Sequence, residues 1–122
     1  MSEKVLIADD SWVARLKIGQ IVKSAGYTAI EAQSGEDVLS IITHEAPDLI
    51  LLDLLMPGMD GIEVLRKLQD GGVSIPVIVI TADIQETTHA ECLEAGAVSV
   101  INKPPKQDIL LEEVEKIVNR KK

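Results

Sequence analysis

A chain of 122 residues, 46% of them hydrophobic and only Trp12 and Tyr27 aromatic, is long enough for one domain with a real core. Its formal net charge of -8 and pI near 4.7 exclude the basic footprint of a nucleic-acid binder and an anionic membrane as partner, and favour a cationic partner, metal included. A lone Cys92 forms no internal disulfide, Met1-Ser2-Glu3-Lys4 lacks the basic-then-apolar layout of a signal peptide, and no apolar run spans a bilayer, so the expected location is cytoplasmic.

Lys4 to Ala8 reads as a short buried strand that ends in two carboxylates, Asp9 and Asp10, with Ser11 as the N-cap of the first helix. Ala14, Ile18, Ile21, Val22 and Ala25 then fall at helical spacing from Trp12 onward, and Gly26 supplies the stop. Tyr27 to Ala32 suits a second strand. Ser34, with Asp37 three residues on, resembles a capping box opening a helix through Val38, Ile41 and Ile42, which Pro47 ends.

Asp48 to Leu52 is the third strand, and its continuous apolar run marks it as buried on both faces, as strands of parallel sheets are. Asp53 stands at its carboxyl end, followed by the tight Met56-Pro57-Gly58 turn. The ordinary job for such a carboxylate is helix capping, but Asp60, just before Gly61-Ile62-Glu63, fills that role better. The helix after Asp60 runs through Leu65 and Leu68 to Gly71-Gly72. Val77 to Ile80 is a fourth apolar strand, ending in Thr81, Ala82 and Asp83. A helix from about Gln85 to Ala95 is weakly amphipathic, with Ala90 and Leu93 as its clearest apolar contacts, so it should be the loosest of the set. Ala97 to Asn102 is the fifth strand, closing on Lys103-Pro104-Pro105, and Leu110, Val114, Ile117 and Val118 mark the last helix. The basic end, Asn119 to Lys122, complements a helix C-terminus.

Five strands alternating with five helices predict an α/β domain, a single doubly wound parallel sheet with helices on both faces. Ligands of such sheets bind beyond the carboxyl ends of the strands, so Asp9, Asp10, Asp53, Thr81 and Lys103 are expected to converge at one rim. Three carboxylates together raise one another's proton affinity and call for positive charge. Lys103 supplies one; a hard divalent cation such as Mg²⁺, which takes oxygen ligands, would supply more. His44, His89 and Cys92 have no metal-ligand spacing and read as ordinary surface or helix positions. A carboxylate beside Mg²⁺, a hydroxyl and an ammonium suits nucleophilic attack on a phosphoryl group.

Taken together, Asp9-Asp10, the run from Asp53 to Gly61 with its Met56-Pro57 pair, Thr81-Ala82 and Lys103-Pro104 resemble a response-regulator receiver domain of two-component signalling, CheY-like, over essentially all 122 residues. The resemblance implies the flavodoxin-like strand order 2-1-3-4-5 and a cis Lys103-Pro104 bond. It makes Asp53 the phospho-acceptor, gives Mg²⁺ to Asp9, Asp10, Asp53 and the backbone carbonyl of Leu55, and gives the phosphoryl oxygens to Thr81, Ala82 and Lys103. It also implies a histidine kinase or phosphotransfer protein as donor, and a downstream protein target on the face of the fourth helix, fifth strand and fifth helix. The expected assembly is a monomer or a phosphorylation-dependent dimer. Such a domain catalyses its own phosphorylation and slow dephosphorylation without being a turnover enzyme.

Two positions depart from the family pattern. Val100 replaces the aromatic whose rotation reports phosphorylation, which shifts the switch onto Thr81 and backbone movement, and Pro105 stands where a Phe often follows the Lys103-Pro104 pair. A haloacid-dehalogenase-type phosphatase would carry a second Asp two residues after the nucleophile, where this chain has Leu55. A pseudo-receiver acting only as a binding module ranks lower, since all five site residues are present. The chain is expected to be a stand-alone receiver spanning 1–122, with no output domain.

Overall fold

The computed structural model describes residues 3–120, the side chain of residue 120 excepted. The last two lysines of the basic C-terminal stretch lie outside these residues. Ten elements alternate along the chain: β1 (Lys4–Ala8), α1 (Trp12–Ser24), β2 (Thr28–Ala32), α2 (Gly35–His44), β3 (Leu49–Asp53), α3 (Gly61–Asp70), β4 (Val77–Thr81), α4 (Glu86–Glu94), β5 (Ser99–Asn102) and α5 (Gln107–Arg120). The strands form one parallel sheet in the order β2-β1-β3-β4-β5, as expected. Among the described residues no helix is long and apolar enough to cross a membrane.

Because side chains alternate along a strand, the apolar runs supply two cores at once. Leu6, Ala8, Ile50, Leu52, Val77 and Val79 face α2, α3 and α4 and meet Val38, Val64, Leu65, Leu68 and Cys92. Val5, Ile7, Leu49, Leu51, Ile78, Ile80 and Ile101 face the other way, onto Ile18 and Val22 of α1 and Leu110, Val114 and Val118 of α5. All five residues of β3 and of β4 are buried. Each fully buried Leu or Ile contributes about 2 kcal/mol, so these two strands anchor the rim they lead to.

The caps and strand bounds follow the sequence with three adjustments. Ser11, Ser34 and Asp60 accept from the backbone N–H groups of Ala14, Asp37 and Glu63. Asp37, expected to return the bond to Ser34, accepts instead from the Gln33 N–H at 3.1 Å, one residue earlier. β3 starts at Leu49, because the Asp48 N–H donates to the Lys4 carbonyl and its carboxylate accepts from the Lys4 N–H, tying it to the head of β1. β5 is shorter than expected, since Ala97 closes the α4 turn through the Cys92 carbonyl.

α4 corrects the sequence expectation. Ala90 is exposed and Leu93 is 51% exposed, while Cys92 and Ala95 are buried. Cys92, the following Ala95 and half-buried Thr88 lie at i, i+3 and i−4, on one stripe; Leu93 is a further 100° round the helix. Cys92 is therefore a core residue, not a surface one, and burial pushes its thiol pKa up, with Glu91 and Asp83 adding to the shift. His44 is exposed at the end of α2, as expected.

Candidate functional site

The ends of β1, β3, β4 and β5 deliver their residues to the same rim. Asp9, directly after β1, is buried; Asp53, the last residue of β3, is buried beside it; Asp10 is exposed. One carboxylate oxygen from each lies within 4.8 Å of the others. Asp9 is the most restrained of the three: its Oδ1 accepts from the Ser11 N–H at 2.9 Å, its Oδ2 from Lys103 Nζ at 2.6 Å, and its own N–H donates to the Ala32 carbonyl of β2.

Lys103, one residue past β5, bridges the two buried acids, with Nζ 3.4 Å from Asp53 Oδ2 as well. Its own backbone N–H donates to the Thr81 carbonyl at 2.8 Å, so β4 and the lysine are locked together. The electrostatics follow from this crowding. Burial, joined by the nearby Asp9 charge, raises the Asp53 pKa above the ordinary value, although Lys103 and the Leu55 N–H pull it down. Burial alone would lower the Lys103 pKa, but the hydrogen bond to Asp9 and the charges of Asp53 and Asp9 outweigh it, and the net shift is upward.

Thr81 is fully buried at the end of β4, and its Oγ1 accepts from the Asp83 N–H at 3.1 Å. Asp83 continues the connection to α4: its carboxylate accepts from the Gln85 N–H and from the Thr88 hydroxyl at 2.8 Å. Its carbonyl lies 3.1 Å from His89 Nε2, and since a carbonyl only accepts, that nitrogen carries the hydrogen. Gln85, the N-cap of α4, makes no side-chain cap of its own, so Asp83 secures the helix start. These bonds hold the Asp83 carboxyl pKa below the usual value, the Gln85 N–H most of all.

Of the remaining residues singled out in the sequence, Ala82 is exposed next to Thr81. Leu55 has an exposed side chain, and it is its N–H that reaches the Asp53 carboxylate. Val100 pairs with Val79 and is half-buried against the α2–α4 core. The Lys103-Pro104 bond is cis. Pro104 and Pro105 line an apolar groove of about 390 Å³ with Val13, Lys17 and Ile21 of α1.

The structure adds a steric reason for one motif residue and brings in a pair the sequence did not signal. Gly61 N–H donates to the Leu54 carbonyl, and a Cβ added there would stand 2.8 Å from the Asp53 carbonyl oxygen and the Leu54 Cα. Glycine is therefore needed for the loop to return against the strand end. Arg15 of α1 donates from Nη1 to the Asp9 carbonyl at 2.5 Å and from Nε to Glu31 Oε1 at 3.0 Å. Nothing in local spacing signals that pair, because Glu31 lies on β2.

Three carboxylates on one rim, with oxygen the only donor atom, match the ligand preference of Mg²⁺, and the buried like charges gain from a cation beside Lys103. The donor set fits.

Residues 5–115 match the family model of the response regulator receiver domain. The chain is 38% identical over 116 residues to sporulation initiation phosphotransferase F of Bacillus subtilis (strain 168), covering 95% of this chain and 94% of that protein. It is 33% identical to response regulator MprA of Mycobacterium ulcerans (strain Agy99) over its whole length, which is 53% of that relative, so the chain spans about half of such regulators. The solved receiver domain of the Francisella response regulator 1452 superimposes with a TM-score of 0.95 at 30% identity, covering 99% of this chain and 100% of that one. The Vibrio cholerae chemotaxis protein CheY4 does so with a TM-score of 0.89 at 25% identity, covering 96% and 99%. Fold, rim and sequence thus agree, and the chain belongs to the response regulator receiver domain family of two-component signalling.

Proposed function

We propose that this receiver takes a phosphoryl group onto Asp53 from the phosphohistidine of a histidine kinase or phosphotransfer protein, in a Mg²⁺-dependent reaction, and relays it as a change in protein contacts. The observation that carries this is the buried Asp53 carboxylate at the end of β3, with Asp9, Asp10 and Lys103 converging on it. A carboxylate oxygen of Asp53 attacks phosphorus; the new O–P bond forms as the P–N bond breaks, and its electron pair returns to the imidazole nitrogen. Positioning and charge neutralisation do most of the work in such a transfer. Lys103 would turn from Asp9 toward the phosphoryl oxygens, and Thr81 would donate its hydroxyl hydrogen to them, helped by the neighbouring Ala82 backbone. Asp9, Asp10, Asp53 and the Leu55 carbonyl would hold Mg²⁺. The bound ion supplies neutralisation of the developing negative charge.

Two charge-assisted hydrogen bonds to the phosphoryl group are worth roughly 3 to 6 kcal/mol together. Near-complete inversion of a two-state equilibrium takes about 5.5 kcal/mol, so Thr81 and Lys103 are sufficient to drive a switch. With Val100 in the usual aromatic position, the signal passes from Thr81 through Asp83 into α4 and reaches a protein target on the α4–β5–α5 face. Similarity to a protein named as a phosphotransferase favours onward transfer of the group as one use of the same chemistry.

The test is incubation with acetyl phosphate and Mg²⁺, read by intact mass and by the fluorescence of Trp12, the only tryptophan. The wild type should gain one phosphoryl group that Asp53→Asn does not. Labelling of both proteins alike would overturn Asp53 as the acceptor, and labelling of neither would overturn the proposal and leave a binding module.

A further inference from the structure

Arg15 is largely buried, 13% exposed at its side chain, on the first turn of α1, and its guanidinium joins two backbone or side-chain groups that the sequence keeps far apart. Nη1 donates to the carbonyl of Asp9, which is the carbonyl of the Asp9–Asp10 peptide; Nε donates to Glu31 of β2. The orientation of that peptide sets the directions in which the two carboxylates leave the chain. Asp9 has other restraints, through Ser11, Lys103 and Ala32. Asp10 is exposed, and among the described residues no side-chain hydrogen bond to it is found, so the peptide plane is what aims it.

We infer that Arg15, braced by Glu31, is a positioning residue that fixes the Asp9–Asp10 peptide and thereby preorganises the acid cluster for a divalent cation, an inference that rests on the proposed Mg²⁺ site. The planar fork of a guanidinium reaches both partners at once with little residual freedom, which a lysine ammonium does not. Groups one step behind metal ligands typically change metal affinity by about 10- to 100-fold when removed.

The sign of the effect separates this role from a purely electrostatic one. A positive charge near three carboxylates opposes a cation, so if Arg15 acted only through its charge, Arg15→Gln would tighten Mg²⁺ binding. As a brace, its loss weakens binding. Calorimetric titration of the purified chain with MgCl₂ should give a dissociation constant about 10-fold weaker for Arg15→Gln. Arg15→Lys, which keeps the charge and loses the fork, should fall between the two. With acetyl phosphate, the Mg²⁺ concentration for half-maximal labelling should rise in parallel, while the rate at saturating Mg²⁺ stays within about two-fold of wild type; a merely structural defect would lower the folded fraction without moving that midpoint. Should Arg15→Gln fail to fold, Arg15→Lys carries the comparison. Equal or tighter Mg²⁺ binding by Arg15→Gln, or wild-type binding by Arg15→Lys, overturns the brace. A wild type that binds no Mg²⁺ overturns the metal site and the brace together, whereas normal Mg²⁺ binding without labelling of Asp53 overturns the phospho-acceptor alone.

Discussion

Lys103 Nζ stands 2.6 Å from Asp9 Oδ2, closer than the 3.4 Å that separates it from Asp53 Oδ2, so the ammonium of the unphosphorylated protein is engaged chiefly by the acid next door to the acceptor. In the proposed transfer it would have to yield Asp9 in order to serve a phosphoryl group. Lys103→Met is expected to bind Mg²⁺ several-fold more tightly, since a competing cation is gone, and to lose about 3 kcal/mol of stability at neutral pH by stranding a buried carboxylate. Magnesium titration and urea unfolding check the two halves. In the wild type, the raised Lys103 pKa means that the ion pair's contribution is complete below the ordinary value of 10.5 and is lost as pH rises through the higher folded value.

In the proposed transfer Asp53 would react as its carboxylate, and burial together with Asp9 raises its pKa above the ordinary 3.8. The rate of labelling by acetyl phosphate should therefore decline on acidification earlier than an exposed carboxylate would allow. Saturating Mg²⁺ should move the decline to lower pH, because a cation favours the ionised form. A profile independent of Mg²⁺ would contradict this.

The same raised pKa carries a stability cost. A carboxyl whose folded pKa is raised stabilises the fold most at low pH and loses that contribution as pH climbs through the folded value. Asp53→Asn removes the buried charge and its repulsion by Asp9, so the metal-free variant should be more stable at neutral pH by on the order of 1 kcal/mol, about 4 °C in Tm. The gain should vanish at acidic pH, as scanning calorimetry at the two pH values would register.

Asp83 links the buried hydroxyl of Thr81 to the start of α4 through Gln85, Thr88 and His89. Asp83→Ala should speed amide exchange across Glu86 to Glu94 while leaving β4 protected. On forming the beryllofluoride adduct, wild-type chemical-shift changes should extend into α4, and in the variant they should stop at the rim. Undiminished spread into α4 in the variant would show that the signal travels another way.

Gly61→Ala should destabilise the protein by about 2 kcal/mol, because the new Cβ would meet backbone atoms of Asp53 and Leu54, which have no rotamer to give. Denaturant unfolding measures it. The displaced strand end should also slow labelling of Asp53.

The strand ends were legible because a continuous apolar run that stops at a polar residue is a pattern plain in the sequence: Asp53 follows four buried residues, and Thr81 does the same. The Asp60 cap was equally plain. The buried face of α4 was not, since Leu93 has the stronger hydrophobic signal and yet is turned outward, while a Thr88, Cys92 and Ala95 stripe has little contrast with its surroundings. Arg15 and Glu31 escaped for a different reason. Their pairing across 16 residues exists only because β1 lies next to β2, and neither residue is unusual where it stands.

Asp9 and Lys103 are separated by 94 positions, and the rim draws on the ends of four strands with helices between them. Bringing such distant positions together costs the entropy of closing the intervening loops, and the rim is complete only when all four strand ends are in place. A growing or partly unfolded chain therefore carries Asp53 without the lysine that answers it. Capacity to accept the phosphoryl group should return in refolding only when β5 docks, which makes labelling itself a readout of β5 joining the sheet.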